Sequence, residues 1–552
     1  MRRIDWRRAA LHAVGIAIAL VALVAYVRTL APTVVGGDPS ELQLLVRRLG
    51  VPHGTGYPLY VWLGHLFVSL PFGYDIAYRL NLFSAVLGAG AVWVAYLLAL
   101  EIGVARTLAA RAVGAGAAAA LVARSHTFWS VSIIAEEYTL HVVMALVSLL
   151  LLVRWMRTGS RTLLYAGFAT LGAMFGNHAM TFGLVPAVAV FVLLRERMSK
   201  ALARTLAGAV AAGALGALVC NVLLFYLLWR RHLPYDHWQW VLSCPRFFDL
   251  PKGARDSFWY AWWYEVTCRQ FRHQLAGASL DQRIEQVLAM PHRMAAELFP
   301  VGAALGLFGW GLLWKRWRES VLVTLVLATH VYLVASLSVT LKSHVYLLVA
   351  SILVTIAAGG AVGWLGETPL RWLCRTPRSA RFAPSVALAG ALACLLASSI
   401  ANELSRPWYA SNMERAYARA NDRDVYLEAV VGALGPHPDR HEDRYMRARA
   451  SGIVDAVPPD AIVLADWRLR YAIEYVARID RGIEGITVLE PYPYGTRRRE
   501  FVLDYLDFMR DPNRVRPVFF VLPADAPPID GYHIERRHAV VGELVPNGRG
   551  SG

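Results

Sequence analysis

Two carboxylates, Asp38 and Glu41, stand in the run Gly36-Gly37-Asp38-Pro39-Ser40-Glu41-Leu42, and a His-Gly-Thr-Gly-Tyr-Pro turn follows at residues 53–58. Held close to an imidazole, two such acids can take the proton from an acceptor hydroxyl or hold a divalent cation. The same spacing also has a purely structural account. Asp38 at the N-cap, Pro39 at the first helical position and Glu41 at the third spell a capping box. Leu42, Leu45, Val46 and Leu49 then form one apolar face, Arg47 and Arg48 suit a C-terminal end, and Gly50 stops the helix. This predicts an amphipathic helix lying on a membrane surface. The accounts are compatible, because a cap also fixes a carboxylate rigidly.

The rest of the chain must supply that membrane. Of 552 residues, 56% are hydrophobic and 17% charged, a balance that excludes an ordinary soluble protein. The formal net charge of +16 sits in short basic clusters between apolar runs, which argues for membrane topology rather than nucleic-acid binding. The run 9–30 is too long for a signal-peptide core, and Ala31-Pro32-Thr33 is a poor cleavage site, so it reads as a retained anchor. Eleven spans are expected, at 9–30, 78–100, 105–123, 131–153, 162–178, 180–194, 203–229, 296–314, 319–338, 345–365 and 383–401. Arg and Lys gather in alternate loops, around Arg106 and Arg111, Arg154 and Arg157, Arg195 and Lys200, Lys315 and Arg318, and Arg371 and Arg381. That alternation places the N-terminus in the cytoplasm and the C-terminus outside.

Three segments then lie outside. The first, residues 31–78, carries the two acids and a short apolar piece at 57–72 suited to an interfacial or re-entrant helix. The second, residues 230–294, is rich in aromatics, including Trp238, Trp240, Trp259, Trp262 and Trp263, and is expected along the outer surface. Its Cys244 and Cys268 are equally readable as a disulfide or as two thiols. The third, residues 402–552, follows the transmembrane part (residues 1–401) as a soluble α/β domain. Strands at 461–464, 486–489 and 518–522 alternate there with a helix bearing Leu469, Ala472, Ile473 and Val476, and a helix at 499–509, which implies a parallel sheet. No glycine-rich phosphate fingerprint opens its helices, so no nucleotide is assigned.

Ionisable residues within apolar spans face a cavity or each other. Glu136, Glu137 and His141 fall at the outer end of one span. Glu137 and His141, four apart, can pair on one helix face, and Tyr138 reads as an interfacial anchor. His178, beside Asn177, falls at the outer end of another span and is either a packing residue or a substrate contact. Arg79, Arg124, His126, Lys342 and His344 offer donors to a lipid phosphate or reach the headgroups.

Several of these pieces carry a resemblance. The run 36–42, then Leu49-Gly50-Val51-Pro52-His53 with Gly56-Tyr57-Pro58-Leu59, and then Arg79-Leu80-Asn81-Leu82-Phe83-Ser84, resemble the N-terminal signature of the protein O-mannosyltransferase-like membrane family. Phe128-Trp129, Ala135-Glu136-Glu137-Tyr138 and Gly176-Asn177-His178 extend the likeness to about residue 180. Pro39-Ser40 and Gly54-Thr55 depart from its pattern, while both acids, His53 and Gly56-Tyr57-Pro58 are kept. The family belongs to the GT-C glycosyltransferases, so the resemblance implies a membrane all-α fold and transfer of a sugar, mannose above all, from a polyprenyl-phosphate donor to a protein or glycan hydroxyl outside a bacterial inner membrane. It implies Asp38 as general base with Glu41 positioning it or joining it on a divalent cation, and His53, Tyr57, Arg79, Asn81, Glu136 and His178 as substrate contacts, Arg79 and His178 on the leaving phosphate. A lipid transporter or flippase would instead call for internal repeats and acids near mid-membrane. A non-catalytic scaffold would leave the matched loop no role beyond capping.

Overall fold

The computed structural model describes residues 6–367 apart from 72, 196–199, 231–232, 273, 276 and 339–342, a few positions between 385 and 400, and residues 439–490, 516–522 and 532–547. Its helices begin with α1 (Trp6–Arg28), α2 (Asp38–Arg48), α3 (Pro58–Val68), α4 (Ile76–Ile102), α5 (Leu108–Arg124) and α6 (His126–Ser132). Then come α7 (Tyr138–Thr158), α8 (Arg161–Met174), α9 (Val185–Leu193), α10 (Lys200–Arg230), α11 (His237–Ser243), α12 (Phe258–Val266) and α13 (Leu280–Leu288). The bundle closes with α14 (Met290–Leu313), α15 (Trp317–Ser336), α16 (Ser343–Tyr346) and α17 (Leu348–Leu365). The C-terminal region adds α18 (Tyr445–Asp455), α19 (Trp467–Tyr475) and strands β1 (Ile462–Leu464), β2 (Thr487–Leu489), β3 (Val518–Val521), β4 (Tyr532–Arg536) and β5 (Val541–Pro546).

Among the described residues six segments are long and apolar enough to cross a membrane, and a seventh if α5 and α6, bent by 62°, count as one. The expected spans at 162–178 and 180–194 form differently. The first is α8, whose 14 residues rise roughly 21 Å, short of the ~30 Å hydrocarbon core. A 3₁₀ turn at Ala179–Gly183 then leads into α9. The break has a local cause: His178 Nδ1 accepts the Met180 N–H and its carbonyl accepts the Thr181 hydroxyl, so this chain segment is capped rather than continued. The expected span at 383–401, the helix at 499–509 and Lys342 lie wholly or largely outside the described residues.

Small residues let the bundle helices touch through their backbones, as packing in lipid favours. A Cβ on Gly172 of α8 would meet the Gly213 carbonyl of α10 at 1.8 Å, and one on Gly359 of α17 would meet the Gly114 carbonyl of α5 at 2.4 Å. At one end of the bundle Glu101 accepts from Arg154 and Arg157, and its carbonyl accepts from Arg316. This basic cluster sits at the far end of α4 from the first loop.

The C-terminal sheet runs in the order β2-β1-β3-β5-β4. Strands β1, β2 and β3 are parallel as expected, but β5 and β4 add an antiparallel edge, so the sheet is mixed. This region does not stand apart. Val34, Leu44, Leu45, Ala77 and Tyr235 share one apolar core with Leu469, Ala472, Ile473 and Val476. Trp238, expected at headgroup level, is buried with Ile462, Leu464 and Phe520 beneath the sheet, whereas Trp259 is 66% exposed. Cys244 and Cys268 are free thiols.

Candidate active site

Helix α2 departs from the capping-box expectation in an informative way. Its N-cap is Gly37, at φ 78°, and no side chain caps it; Asp38 is the first helical residue. Glu41 does not turn back to the cap. It reaches across to the 53–58 turn, where Oε1 accepts the His53 backbone N–H at 3.0 Å and Oε2 lies 2.5 Å from His53 Nδ1. His53 Nε2 is in turn 2.8 Å from the Tyr57 hydroxyl. Nor does α2 lie on the membrane surface, because residues 39–46 are buried on every face. Leu42 and Val46 pack with α3 and α4, while Leu44 and Leu45 pack with the C-terminal region.

The loop is anchored from behind. Asn81, expected to touch substrate, instead donates from Nδ2 to the Ala31 and Thr33 carbonyls and accepts from Gln43 Nε2 at 2.8 Å, so it positions α2. Arg79 likewise serves the fold, since its guanidinium donates to the Tyr74, Val68 and Leu70 carbonyls around the end of α3. These bonds use Nε and Nη1. Arg124 stacks on the Trp129 ring.

Electrostatics distinguish the members of this cluster. Glu41 is 2% exposed. Burial alone would raise its carboxyl, yet the charge and hydrogen bonds of His53 outweigh that and hold it below the usual carboxylate range. His53 shows the complement: burial opposes its charged form, and the charge of Glu41, then those of Glu137 and Glu265, lift it above the ordinary histidine value. The two therefore form an ion pair. Asp38 is half-buried at the start of the helix. One ligand atom from each of Asp38, Glu41 and His53 lie within 4.8 Å of one another, so a hard-cation donor set of two carboxylates and an imidazole is assembled here.

His178 joins this cluster. Its ring stacks on Tyr57 at 6.3 Å between centroids, and Nε2 lies 3.8 Å from Glu137 Oε1. Glu136, 6% exposed, is held by its backbone N–H on the Ser84 hydroxyl. The expected Glu137–His141 pair does not form, since both His141 ring nitrogens are without a partner and Glu137 faces His178. Tyr138 is no surface anchor: it is 5% exposed with its ring 5.2 Å from His178.

Other members carried no signal as site residues in the sequence, because they come from distant segments. His237 and Glu265 pair at 2.8 Å in full burial, with the His237 ring 6.5 Å from that of His53. From the C-terminal region, Arg468 takes the Gly37 N–H on its carbonyl at 3.0 Å, Trp467 covers Gly37, and the Tyr471 hydroxyl faces Glu41. Helix α19 is thus a wall of the site.

The arrangement is that of a multi-pass membrane protein whose acid-bearing first loop is walled by α19 of the C-terminal region. Residues 38–202 match the family model described as the protein O-mannosyl-transferase TMEM260 N-terminal domain. The chain is 35% identical to the mouse protein O-mannosyl-transferase TMEM260 over 137 residues, which is 25% of this chain and 18% of that protein. It is also 35% identical to the Dictyostelium discoideum homologue over 74 residues, 13% of this chain and 9% of that protein. The chain thus aligns with less than a fifth of either relative. Over its whole length the fold is similar to that of ArnT from Cupriavidus metallidurans, bound to undecaprenyl phosphate, with a TM-score of 0.51 at 13% identity over 96% of this chain and 97% of that one. It is also similar to the oligosaccharyltransferase AglB from Archaeoglobus fulgidus, in complex with an inhibitory peptide and a dolichol-phosphate, with a TM-score of 0.50 at 14% identity over 92% of this chain and 69% of that one. The fold is thus similar to those of ArnT and AglB, and residues 38–202 are similar to the TMEM260 N-terminal domain family.

Proposed function

We propose that the chain is a GT-C membrane glycosyltransferase that takes a sugar, mannose above all, from a polyprenyl-phosphate donor and passes it to a protein or glycan hydroxyl on the extracytoplasmic side. The observation that carries this reading is the buried Glu41–His53–Tyr57 network beside a half-buried Asp38. Asp38 accepts the proton of the acceptor hydroxyl as its oxygen attacks the anomeric carbon. The bond from that carbon to the phosphate oxygen breaks, and polyprenyl phosphate departs with the electron pair. His53, kept protonated by Glu41, and His178 face the developing phosphate charge. The basic cluster of Arg154, Arg157 and Arg316 supports the sidedness, because it lies at the opposite end of the bundle from the acids.

A second reading rests on the donor set itself. A divalent cation held by Asp38, Glu41 and His53 would replace the proton between Glu41 and His53 and neutralise the leaving phosphate. One experiment separates the two readings. Purified protein in nanodiscs is given radiolabelled polyprenyl-phosphate mannose and an acceptor, with and without EDTA, as wild type and as Asp38→Asn. Transfer that survives EDTA and is lost in the folded variant supports the base; transfer lost to EDTA and restored by added cation supports the metal. No transfer by wild type with any polyprenyl-phosphate sugar sinks both.

A further inference from the structure

The second outside segment contains a cavity of about 460 Å³ between the outer end of α10 and helices α11 and α12. That volume falls in the range of small-molecule sites, roughly 300–1,000 Å³. Trp229, Trp238 and Trp259 give it flat apolar walls, and Gln239, Arg255 and Asp256 give it hydrogen-bonding groups. Its inner wall is Asp236, a buried carboxylate whose Oδ1 accepts the Val51 N–H at 2.9 Å, two residues before His53. The His237 N–H donates to the Val51 carbonyl at 3.0 Å. A ligand in the cavity would therefore lie one layer of residues behind the Glu41–His53 pair.

The lining selects among ligand chemistries. Among the described lining residues Arg255 is the one cation, and Asp256 beside it carries the opposite charge. Indole faces stack on the C–H faces of sugar rings, while a carboxylate, an amide and a guanidinium bind ring hydroxyls. Trp229 and Trp259 are 59% and 66% exposed.

We propose that this cavity is a carbohydrate subsite that holds a neutral sugar of a glycan acceptor distal to the reacting hydroxyl. Its role as part of an acceptor site rests on the transferase reading above; its capacity to bind saccharide does not. The test is saturation-transfer NMR on the full chain in phosphatidylcholine nanodiscs, free of sugar-based detergent, with mannobiose, cellobiose and chitobiose as probes. Wild type should give saturable signal from at least one disaccharide. Trp259→Ala and Asp256→Asn, both at exposed positions, should each weaken that binding by about tenfold, the scale of one lost stacking or charge-assisted contact. Asp38→Asn should bind as wild type does, so failure of the catalytic reading leaves this result standing. The proposal is overturned by wild type giving no disaccharide signal, by signal that both cavity variants retain, or by a serine-rich peptide or lipid chain occupying the cavity in place of sugar and responding to the same two variants.

Discussion

Glu41 and His53 lie 12 residues apart in the chain and 2.5 Å apart in space, joined twice, once through the imidazole and once through the His53 backbone N–H. The backbone bond survives replacement of the histidine, whereas the ion pair does not. Breaking a buried pair from one side leaves an uncompensated charge, at a cost of about 3 kcal/mol or more. Glu41→Gln should therefore lower the unfolding midpoint and abolish transfer together. The double variant Glu41→Gln/His53→Gln should be less destabilised than the sum of the singles, by at least about 1 kcal/mol of coupling. Chemical denaturation of the four proteins measures this, and strict additivity would refute the pairing.

The same pair sets a pH window. His53 has its proton affinity raised in the fold, so its contribution is full below the ordinary histidine value near ~6.5 and is lost as pH rises through the higher folded value. Glu41 is depressed, so its contribution is full above the ordinary glutamate value near ~4.3 and is lost as pH falls through the lower folded value. Stability from the pair should peak between those two ordinary values and fall on both sides. Thermal melts across pH should show this arch in wild type and a flatter profile in the double variant.

The C-terminal region is fastened to the first loop by Asp75. Its Oδ1 accepts from the Tyr475 hydroxyl at 2.5 Å, its Oδ2 from Thr33 at 2.6 Å and from Arg447 at 3.2 Å, and the Tyr475 oxygen accepts the Ala77 N–H. Tyr475→Phe removes one hydroxyl from full burial and leaves Asp75 Oδ1 and the Ala77 N–H only their mutual bond of 3.3 Å, a loss of about 1 kcal/mol. Hydrogen exchange should quicken in α2 and α19 while the amides of α4 beyond its first turn stay protected. Uniform protection would mean that the contact does not couple the two regions.

Much of the frame was legible in the sequence. Long apolar runs announce the bundle because lipid leaves few alternatives, and the i, i+3, i+4, i+7 pattern of Leu469 to Val476 marked the buried face of α19. The antiparallel edge at β4 and β5 was not legible, since Tyr532–Arg536 is mostly exposed and lacks an apolar alternation. Spacing alone reads the carboxylates of the candidate site as a helix cap, and the resemblance singles them out, but neither reveals all of their partners. A capping box and a catalytic acid share the same letters, and only the approach of His53 decides that Glu41 faces away from the helix end. Arg79 and Asn81 illustrate the reverse. Their motif marked them as substrate contacts, and the nearby carbonyls that engage them are invisible to spacing. Tyr471 and His237 reach the site only through tertiary packing.

Gly50 separates two explanations of one residue. As a helix stop it would be needed for a left-handed conformation, but Leu49 occupies that conformation, at φ 55°, and the Gly50 N–H bonds the Leu45 carbonyl at 2.9 Å. What Gly50 lacks is room, because a Cβ there would meet Asp236 Oδ1 at 2.5 Å and Leu45 Cδ2 at 2.7 Å. A left-handed site tolerates asparagine nearly as well as glycine, whereas a close approach tolerates neither alanine nor asparagine. Gly50→Ala and Gly50→Asn should thus both destabilise, by about 1–3 kcal/mol as for other overpacked positions. Both should also weaken transfer, since the displaced Asp236 releases the Val51 N–H just ahead of His53. Melting midpoints and transfer rates of the two variants, measured side by side, decide between the explanations: wild-type behaviour of Gly50→Asn would restore the helix stop.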